Sequence, residues 1–358
     1  QQESCRNRRG TPLEFPAVIP RHPFASDLTL ESELAEFEQL KPRLKEVWDS
    51  ISMRDAEPHT SIVVPSLTLD QAELQKLEGS SFYEERLLFL LIRLRNPRAR
   101  VVFVTSQPVH PLVLEYYFQL LVGIPASHAR SRLTLLCAYD DSPRSLTEKI
   151  LERPRLIERI RAGIADPSRS YLAVFNSTPL ERRLAVLLGV PLNAVDPALR
   201  HLGTKSGSRK VFREAGVSLP EGFEDLRTLQ DVEEGLLELH RRRPGLRKAV
   251  VKLDDSFSGE GNALFRYPEK VDRATVHEAV ERLEYAVPWE TNADYFNRFE
   301  RMGGIVEEFL EGDHKTSPSV QLRVDPHGAV VPISTHDQVL GGTSGQVFLG
   351  CLFPAASE

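Results

Sequence analysis

Between residues 55 and 200, short apolar runs alternate with helical segments, and no other feature of this 358-residue chain restricts its fold as tightly. The runs RVVFVT (100–105), LTLLCA (133–138) and YLAVF (171–175), with an earlier one at 61–69, are continuously apolar. A strand buried on both faces belongs in a parallel sheet with helices on either side. The intervening segments at 84–94, 111–121, 146–151, 155–164 and 179–188 supply those helices. The pattern predicts an α/β fold with an open, doubly wound parallel sheet. Thr105-Ser106-Gln107, Tyr139-Asp140-Asp141 and Asn176-Ser177-Thr178 stand at the strand ends, where such a sheet lines its ligand crevice. Singly they read first as turn formers and helix caps, with Ser177 or Thr178 before Pro179 suiting a cap best. No GxGxxG follows any strand, so nothing supports dinucleotide binding.

The flanking segments are of other kinds. Residues 1–54 form a proline-containing arm and then a helix near 32–50, whose apolar face is Leu34, Phe37, Leu40, Leu44 and Val47. Residues 201–302 mix helices at 229–240 and 275–286 with a strand pair, an α+β segment of lid size. Residues 303–358 begin a further unit, with a short strand at 305–306 and a hairpin of 320–324 and 329–333 around Asp325-Pro326-His327-Gly328. A net charge of −6 leaves no nucleic-acid footprint. The apolar runs are too short to span a bilayer. Three distant cysteines, Cys5, Cys137 and Cys351, argue against a disulfide framework or a zinc site and for a reducing compartment. The chain reads as cytoplasmic, with no membrane or nucleic-acid partner; a homodimer stays open.

The candidate site is centred on VVKLDDSFSGEGNA (250–263), a strand that runs into a loop of small residues. Gly259 and Gly261 permit close backbone approach, and the loop amides with the Ser256 and Ser258 hydroxyls donate hydrogen bonds to an anion such as phosphate. Lys252 at the strand end reaches the same place as a point charge. Upstream, Lys205 opens KSGSRKVFREAGV, a helix with an apolar side at Val211 and Phe212 that ends at Gly216. Lys205 and Lys210 near a positive helix end favour a nearby anion. Downstream, GGIVEEFLEGD (303–313) places carboxylates and an apolar pair on an extended segment.

These stretches, in this order and spacing, resemble the ATP-grasp superfamily of carboxylate–amine ligases. The forms KSGSRKVFREAGV, KLDDSFSGEGNA, SPSVQLRV and STHDQVLGG are most similar to the pheganomycin-type peptide ligases. The resemblance implies a Rossmann-like pre-ATP-grasp domain (55–200), a lid subdomain (201–302) and the start of the core subdomain (303–358). It also implies ATP with Mg²⁺, a carboxylate substrate activated as an acyl phosphate, and an amino acid or peptide amine that displaces phosphate to form an amide. Lys205, Lys252 and Ser258 would act on the transferring phosphoryl group. Ser256, Phe257, Ser258, Gly259, Glu260, Gly261 and Asn262 match the loop that closes over the phosphates. Glu307, Glu308, Phe309 and Leu310 match the hinge that reads adenine. Lys315, Gln321, Arg323, His336 and Gln338 are the substrate-side candidates, with Arg323 or Lys315 for a carboxylate and His336 for the amine.

Two departures accompany the resemblance. His314 stands where many members carry a ribose-binding glutamate, leaving Asp313 or a residue of 315–319 to substitute. No Glu-x-Asn strand follows the hinge before Glu358, so no metal ligand is identifiable in this chain, and the core subdomain is expected to be incomplete as given. A non-catalytic nucleotide-binding module and a kinase of the same fold are the alternative readings.

Overall fold

The computed structural model describes residues 28–53, 57–69, 74, 79–256, 261–287, 290–312, 316–341, 345 and 347–356. The elements of the first half are α1 (Leu30–Met53), β1 (Thr60–Val64), a 3₁₀ helix (Ser80–Arg95), β2 (Arg100–Thr105), α2 (Pro111–Gln119), α3 (Ala126–Arg130), β3 (Leu133–Cys137), α4 (Leu146–Leu151), α5 (Pro154–Ala162), β4 (Ser170–Val174) and α6 (Pro179–Leu188). Strands β3-β2-β1-β4 form one sheet, every neighbour parallel. Because side chains alternate along a strand, Ile62, Val64, Val102, Val104 and Leu172 enter one core with α4–α6. Val63, Val101, Phe103, Tyr171 and Ala173 enter the other, against the 3₁₀ helix, α2 and α3. The doubly wound sheet expected from the continuous apolar runs is therefore present. Helix α1 gives Phe37 and Leu40 to the first core and Val47 to the second, while Leu34 stays exposed.

The segment at 84–94 winds as part of the longer 3₁₀ helix rather than an α-helix. Leu88, Leu91 and Leu94, fully buried and three apart, form one row at its period of three residues per turn.

The second half contains α7 (Lys205–Glu214), β5 (Gly222–Leu226), α8 (Leu229–Arg242), β6 (Lys248–Leu253), β7 (Asn262–Arg266), α9 (Arg273–Val280), β8 (Glu284–Tyr285), α10 (Asn292–Met302) and β9 (Gly304–Glu308). They build an antiparallel sheet of order β5-β9-β6-β7-β8. One face packs on α8, α9 and α10 through Val232, Leu236, Val276, Tyr295 and Phe299. Helix α9 stops at Val280, short of the expected 286, because Glu284-Tyr285 pair with β7 as an edge strand. A third sheet, β10 (Pro318–Val324), β11 (Val330–Gly341) and β12 (Val347–Leu352), is antiparallel and largely exposed. The expected hairpin is there, its turn held by Asp325 Oδ1 accepting the His327 and Ala329 amides at 2.9 Å each. STHDQ, expected as part of a polar end, instead continues strand β11. Among the described residues no helix is long and apolar enough to cross a membrane.

Helix α8 begins at a reciprocal cap. The Thr228 side chain accepts from the Asp231 amide at 3.0 Å, and Asp231 accepts from the Thr228 amide at 2.8 Å. Thr228→Ala should lower unfolding stability by about 1 kcal/mol in urea denaturation. The opposite face of the sheet should be undisturbed, because α8 packs on the core face through Val232 and Leu236. An unaltered midpoint would show that the cap contributes nothing.

Candidate active site

Strand periodicity decides which side chains share a surface. On β6, Ala249, Val251 and Leu253 enter the core, so Lys248, Val250 and Lys252 occupy the opposite face. Lys252 stands opposite Asn262 of β7 and Ile305 of β9. Glu307, two residues beyond Ile305, falls on the same face and forms an ion pair with Lys252. Glu308 falls on the other face. Its carboxylate accepts from the Glu221 amide at 3.0 Å and meets Arg243 at 3.2 Å. Of these two carboxylates, Glu307 is the one on the face of Lys252.

Helix α7 brings the second lysine. Lys205 is its first residue, after an N-cap at Thr204 whose hydroxyl accepts from the Gly207 amide at 3.0 Å. The helix start is fastened to the end of β6 by Asp254, a buried residue without a role in the sequence reading. The Lys205 amide donates to the Asp254 carbonyl at 3.1 Å, and the Ser206 amide donates to Asp254 Oδ1 at 2.8 Å. Gly207 lets the helix start close on the preceding turn, since a Cβ there would sit 1.9 Å from the His201 carbonyl oxygen. The buried side of α7 is Ser206, Gly207 and Arg209, whereas Val211 and Phe212, expected on an apolar face, are exposed. The reason is that α7 packs against polar strand ends rather than against a hydrophobic core.

The two ammonium groups are thereby held close. Burial pushes the Lys205 pKa down and the Lys252 charge pushes it further, while Asp255, Asp254 and Glu307 pull it back up. Two cations thus stand beside the positive end of a ten-residue helix, offset by Asp254, Asp255 and Glu307. Ser256 Oγ is buried without a hydrogen-bond partner among the described residues. The Gly261 backbone lies against that serine. Lys248 Nζ sits 5.4 Å from the Phe309 ring centroid, and Leu310 is exposed just beyond. Phe257, Ser258, Gly259, Glu260 and Lys315 lie outside the described residues, as do Asp313 and His314.

Sequence reasoning passed over Arg209, which is buried and bridges Glu307 at 2.9 Å and Glu224 at 3.2 Å. An interior arginine four residues after Lys205 was visible in the chain, but its partners were not.

A cleft of about 420 Å³ joins this region to the parallel sheet, lined by Thr68, Thr178, Arg200, Asp255, Ser256 and Arg301. The strand order places β1 between β2 and β4, so the cleft lies at the point where the sheet's winding reverses. The strand-end residues divide accordingly. Thr178 caps α6 and lines the cleft, and Asn176 accepts from the Thr68 amide at 3.0 Å. Ser106 and Asp140 are instead consumed by a buried network with Glu84 and Lys149. Gln321, Arg323, His336 and Gln338 sit on the third sheet. Gln321 accepts from Ser334 at 3.3 Å, the His336 ring is 5.6 Å from that of Phe353, and the Gln338 amide donates to the Ser317 carbonyl at 2.9 Å. Arg323 stacks on Trp48 of α1 at 5.3 Å. No described contact joins these four residues to the lysine pair. Among the described residues no three His, Cys, Asp or Glu side chains come together as a metal-binding group.

A family model described as IQCH-like, ATP-grasp matches residues 197–276, the stretch that holds both lysines and the loop between β6 and β7. Over that stretch the chain is similar to the ATP-grasp superfamily. The L-propargylglycine–L-glutamate ligase of Streptantibioticus cattleyicolor is 31% identical over 304 residues, covering 83% of this chain and 61% of that protein. IQ motif-containing protein H of Danio rerio is 26% identical over 376 residues, covering 91% of this chain and 35% of that protein. The chain thus spans less than two thirds of the length of these curated relatives. Solved structures that resemble it include an ADP complex of N5-carboxyaminoimidazole ribonucleotide synthetase, with a TM-score of 0.46 and 11% identity over 85% of this chain and 59% of that one. D-alanyl-alanine synthetase A from Vibrio cholerae gives a TM-score of 0.41 and 8% identity over 81% of this chain and 69% of its own.

Proposed function

We propose that the protein is an ATP-dependent ligase that joins a carboxylate to the amine of an amino acid or peptide. The observation that carries this reading is the convergence of Lys205, Lys252 and the start of α7, where two ammonium groups stand beside the positive end of a helix and an incoming anion would relieve the repulsion that Glu307 only partly offsets. When bound there, ATP would supply the phosphoryl group that activates the substrate carboxylate as an acyl phosphate. Lys205 and Lys252 would hold the phosphate oxygens and stabilise the charge that shifts during transfer. Glu307 and the backbone at Phe309 and Leu310 would hold the adenine. The loop that includes Ser256 and Gly261 would exclude water from the activated carboxyl group. The carboxylate substrate would enter by the cleft near Thr178 and Arg301, with Gln321, His336 and Gln338 as further candidates on the amine side. Mg²⁺ would accompany the nucleotide as its counter-ion. A cytoplasmic setting accords with Cys137 and Cys351 being free thiols.

The similarity to IQ motif-containing protein H favours one rival, a module that binds nucleotide without ligation. The two readings part in one assay of ADP release against panels of carboxylates and amines. Release that requires both a carboxylate and an amine, with amide product detected by mass spectrometry, is the expected result. Tight ATP binding without release under any pairing would favour the rival. Release that needs no amine would indicate a kinase.

A further inference from the structure

Glu307 divides its two carboxylate oxygens between two cations of different character. Oε2 accepts from Arg209 Nη1 at 2.9 Å, and Oε1 is paired with Lys252. Arg209 is held at three points. Its Nε donates to Glu224 Oε2 at 3.2 Å and its Nη2 to the Pro220 carbonyl at 3.0 Å, in addition to the Glu307 bond. Glu224 is itself fixed from its other oxygen by Arg213 at 2.6 Å. The Arg209 side chain is 6% exposed, whereas Lys252 is 21% exposed. A planar fork satisfied on three sides has nowhere to go, while an ammonium on a flexible stem can exchange partners.

We infer that Arg209 is a positioning and specificity-determining residue: it keeps hold of one Glu307 oxygen so that the other can pass from Lys252 to the exocyclic amine of adenine. This rests on the nucleotide site proposed above and adds to it the group that keeps Glu307 acting as an acceptor. When a polyphosphate enters, the stronger attraction draws Lys252 toward it and bares Glu307 Oε1. With Arg209 in place the carboxylate keeps a charged partner in its buried position, so it stays in register. Without Arg209, Lys252 is the one cation left to Glu307 and is not released to the phosphates. That removes the acceptor that separates a 6-amino purine from a 6-oxo purine.

The test compares ATP with inosine triphosphate, which carries a carbonyl at the position of the adenine amine. Dissociation constants for both are measured by calorimetry in the wild type, Arg209→Met, Arg209→Lys and Glu224→Gln, with folding checked by thermal denaturation. The wild type should favour ATP by at least about tenfold, the discrimination expected when one charged acceptor is satisfied or left facing a carbonyl. Arg209→Met should erase most of that preference, mainly through weaker ATP binding. Arg209→Lys should lose about threefold, since an ammonium cannot span Glu307, Glu224 and Pro220 together. Glu224→Gln loosens the same cluster without freeing Glu307 and should keep the wild-type ratio, which separates positioning from general destabilisation. A wild-type ratio in a folded Arg209→Lys or Arg209→Met protein overturns the inference. If Arg209→Met does not fold, Arg209→Lys decides. A wild type that binds neither nucleotide refutes the nucleotide site itself, an outcome distinct from failure of the Arg209 role.

Discussion

Replacing Lys252 by alanine should weaken ATP binding by roughly 1.5–3 kcal/mol, one to two orders of magnitude in Kd. The substitution removes the proposed charge-assisted bond to a phosphate oxygen and leaves Lys205 to hold the phosphates. Folding should survive. Glu307 keeps its bond to Arg209, and Lys252 is partly exposed, so no buried charge loses its last partner. Loss of Lys252 also relieves its repulsion of Lys205, so the Lys205 pKa should rise. The affinity change is therefore a net effect, smaller than the bare bond strength. Calorimetric titration of the folded variant checks it, and an unchanged Kd would remove Lys252 from the nucleotide site.

Stability should also depend on pH through Glu84. This residue is 4% exposed and accepts from the Ser106 amide at 2.5 Å and hydroxyl at 2.6 Å. Burial pushes its pKa up to about 7, with Ser106 and Lys149 pulling part of the way back. Lys149, itself 1% exposed, is pushed down by burial and drawn up by Glu84 and Asp140. The folded value of Glu84 lies above the unfolded one of 4.5. Its stabilising contribution is therefore complete below about pH 4.5 and is lost as pH rises through 7. The difference corresponds to roughly 3 kcal/mol at about 1.4 kcal/mol per pKa unit. Glu84→Gln cannot titrate. Its stability relative to wild type should therefore improve by about that amount between pH 4.5 and 8, on top of a constant offset from altered hydrogen bonds to Ser106. Denaturant unfolding of both proteins across this range measures the difference, in which other titrating groups cancel. A parallel pair of pH profiles would mean that Glu84 is charged in the fold throughout. Asp140 works in the opposite sense and in another window. Ser142, Arg153 and Lys149 hold its pKa below the usual carboxylate range, so its contribution disappears only in strong acid.

Much of the frame was legible because burial on both faces of a strand needs no knowledge of partners. RVVFVT reads as an interior parallel strand from its own composition, and β2 spans Arg100–Thr105 as expected. The order of Lys205, Lys252 and Glu307 was likewise visible, since each sits beside a local signal: a capped helix, a strand running into a glycine loop, and a strand ending in carboxylates. Less legible was what each polar strand end does. Ser106 and Thr178 carry the same kind of side chain after equivalent strands. One is sealed beneath Glu84 and Lys149, and the other opens on the cleft. The choice depends on which helix covers which strand.

By itself, then, the sequence determined the alternation that makes a parallel sheet, the antiparallel strand pair with its lysine, and the capped helix that Lys205 opens. These follow from local periodicity and backbone preference, which act over a few residues. Tertiary structure alone decided that Glu307 faces Lys252 while Glu308 faces Glu221 and Arg243, because only the register with β6 assigns a face to each. It also decided that Asp254 fastens α7 to the strand end and that Arg209 meets Glu307 across a separation of 98 residues. Electrostatic partners of that kind leave no periodic trace in a chain. An arginine interacts with whatever carboxylate the packing of the sheet and helix brings within 3 Å, and that distance exists only once the chain is folded.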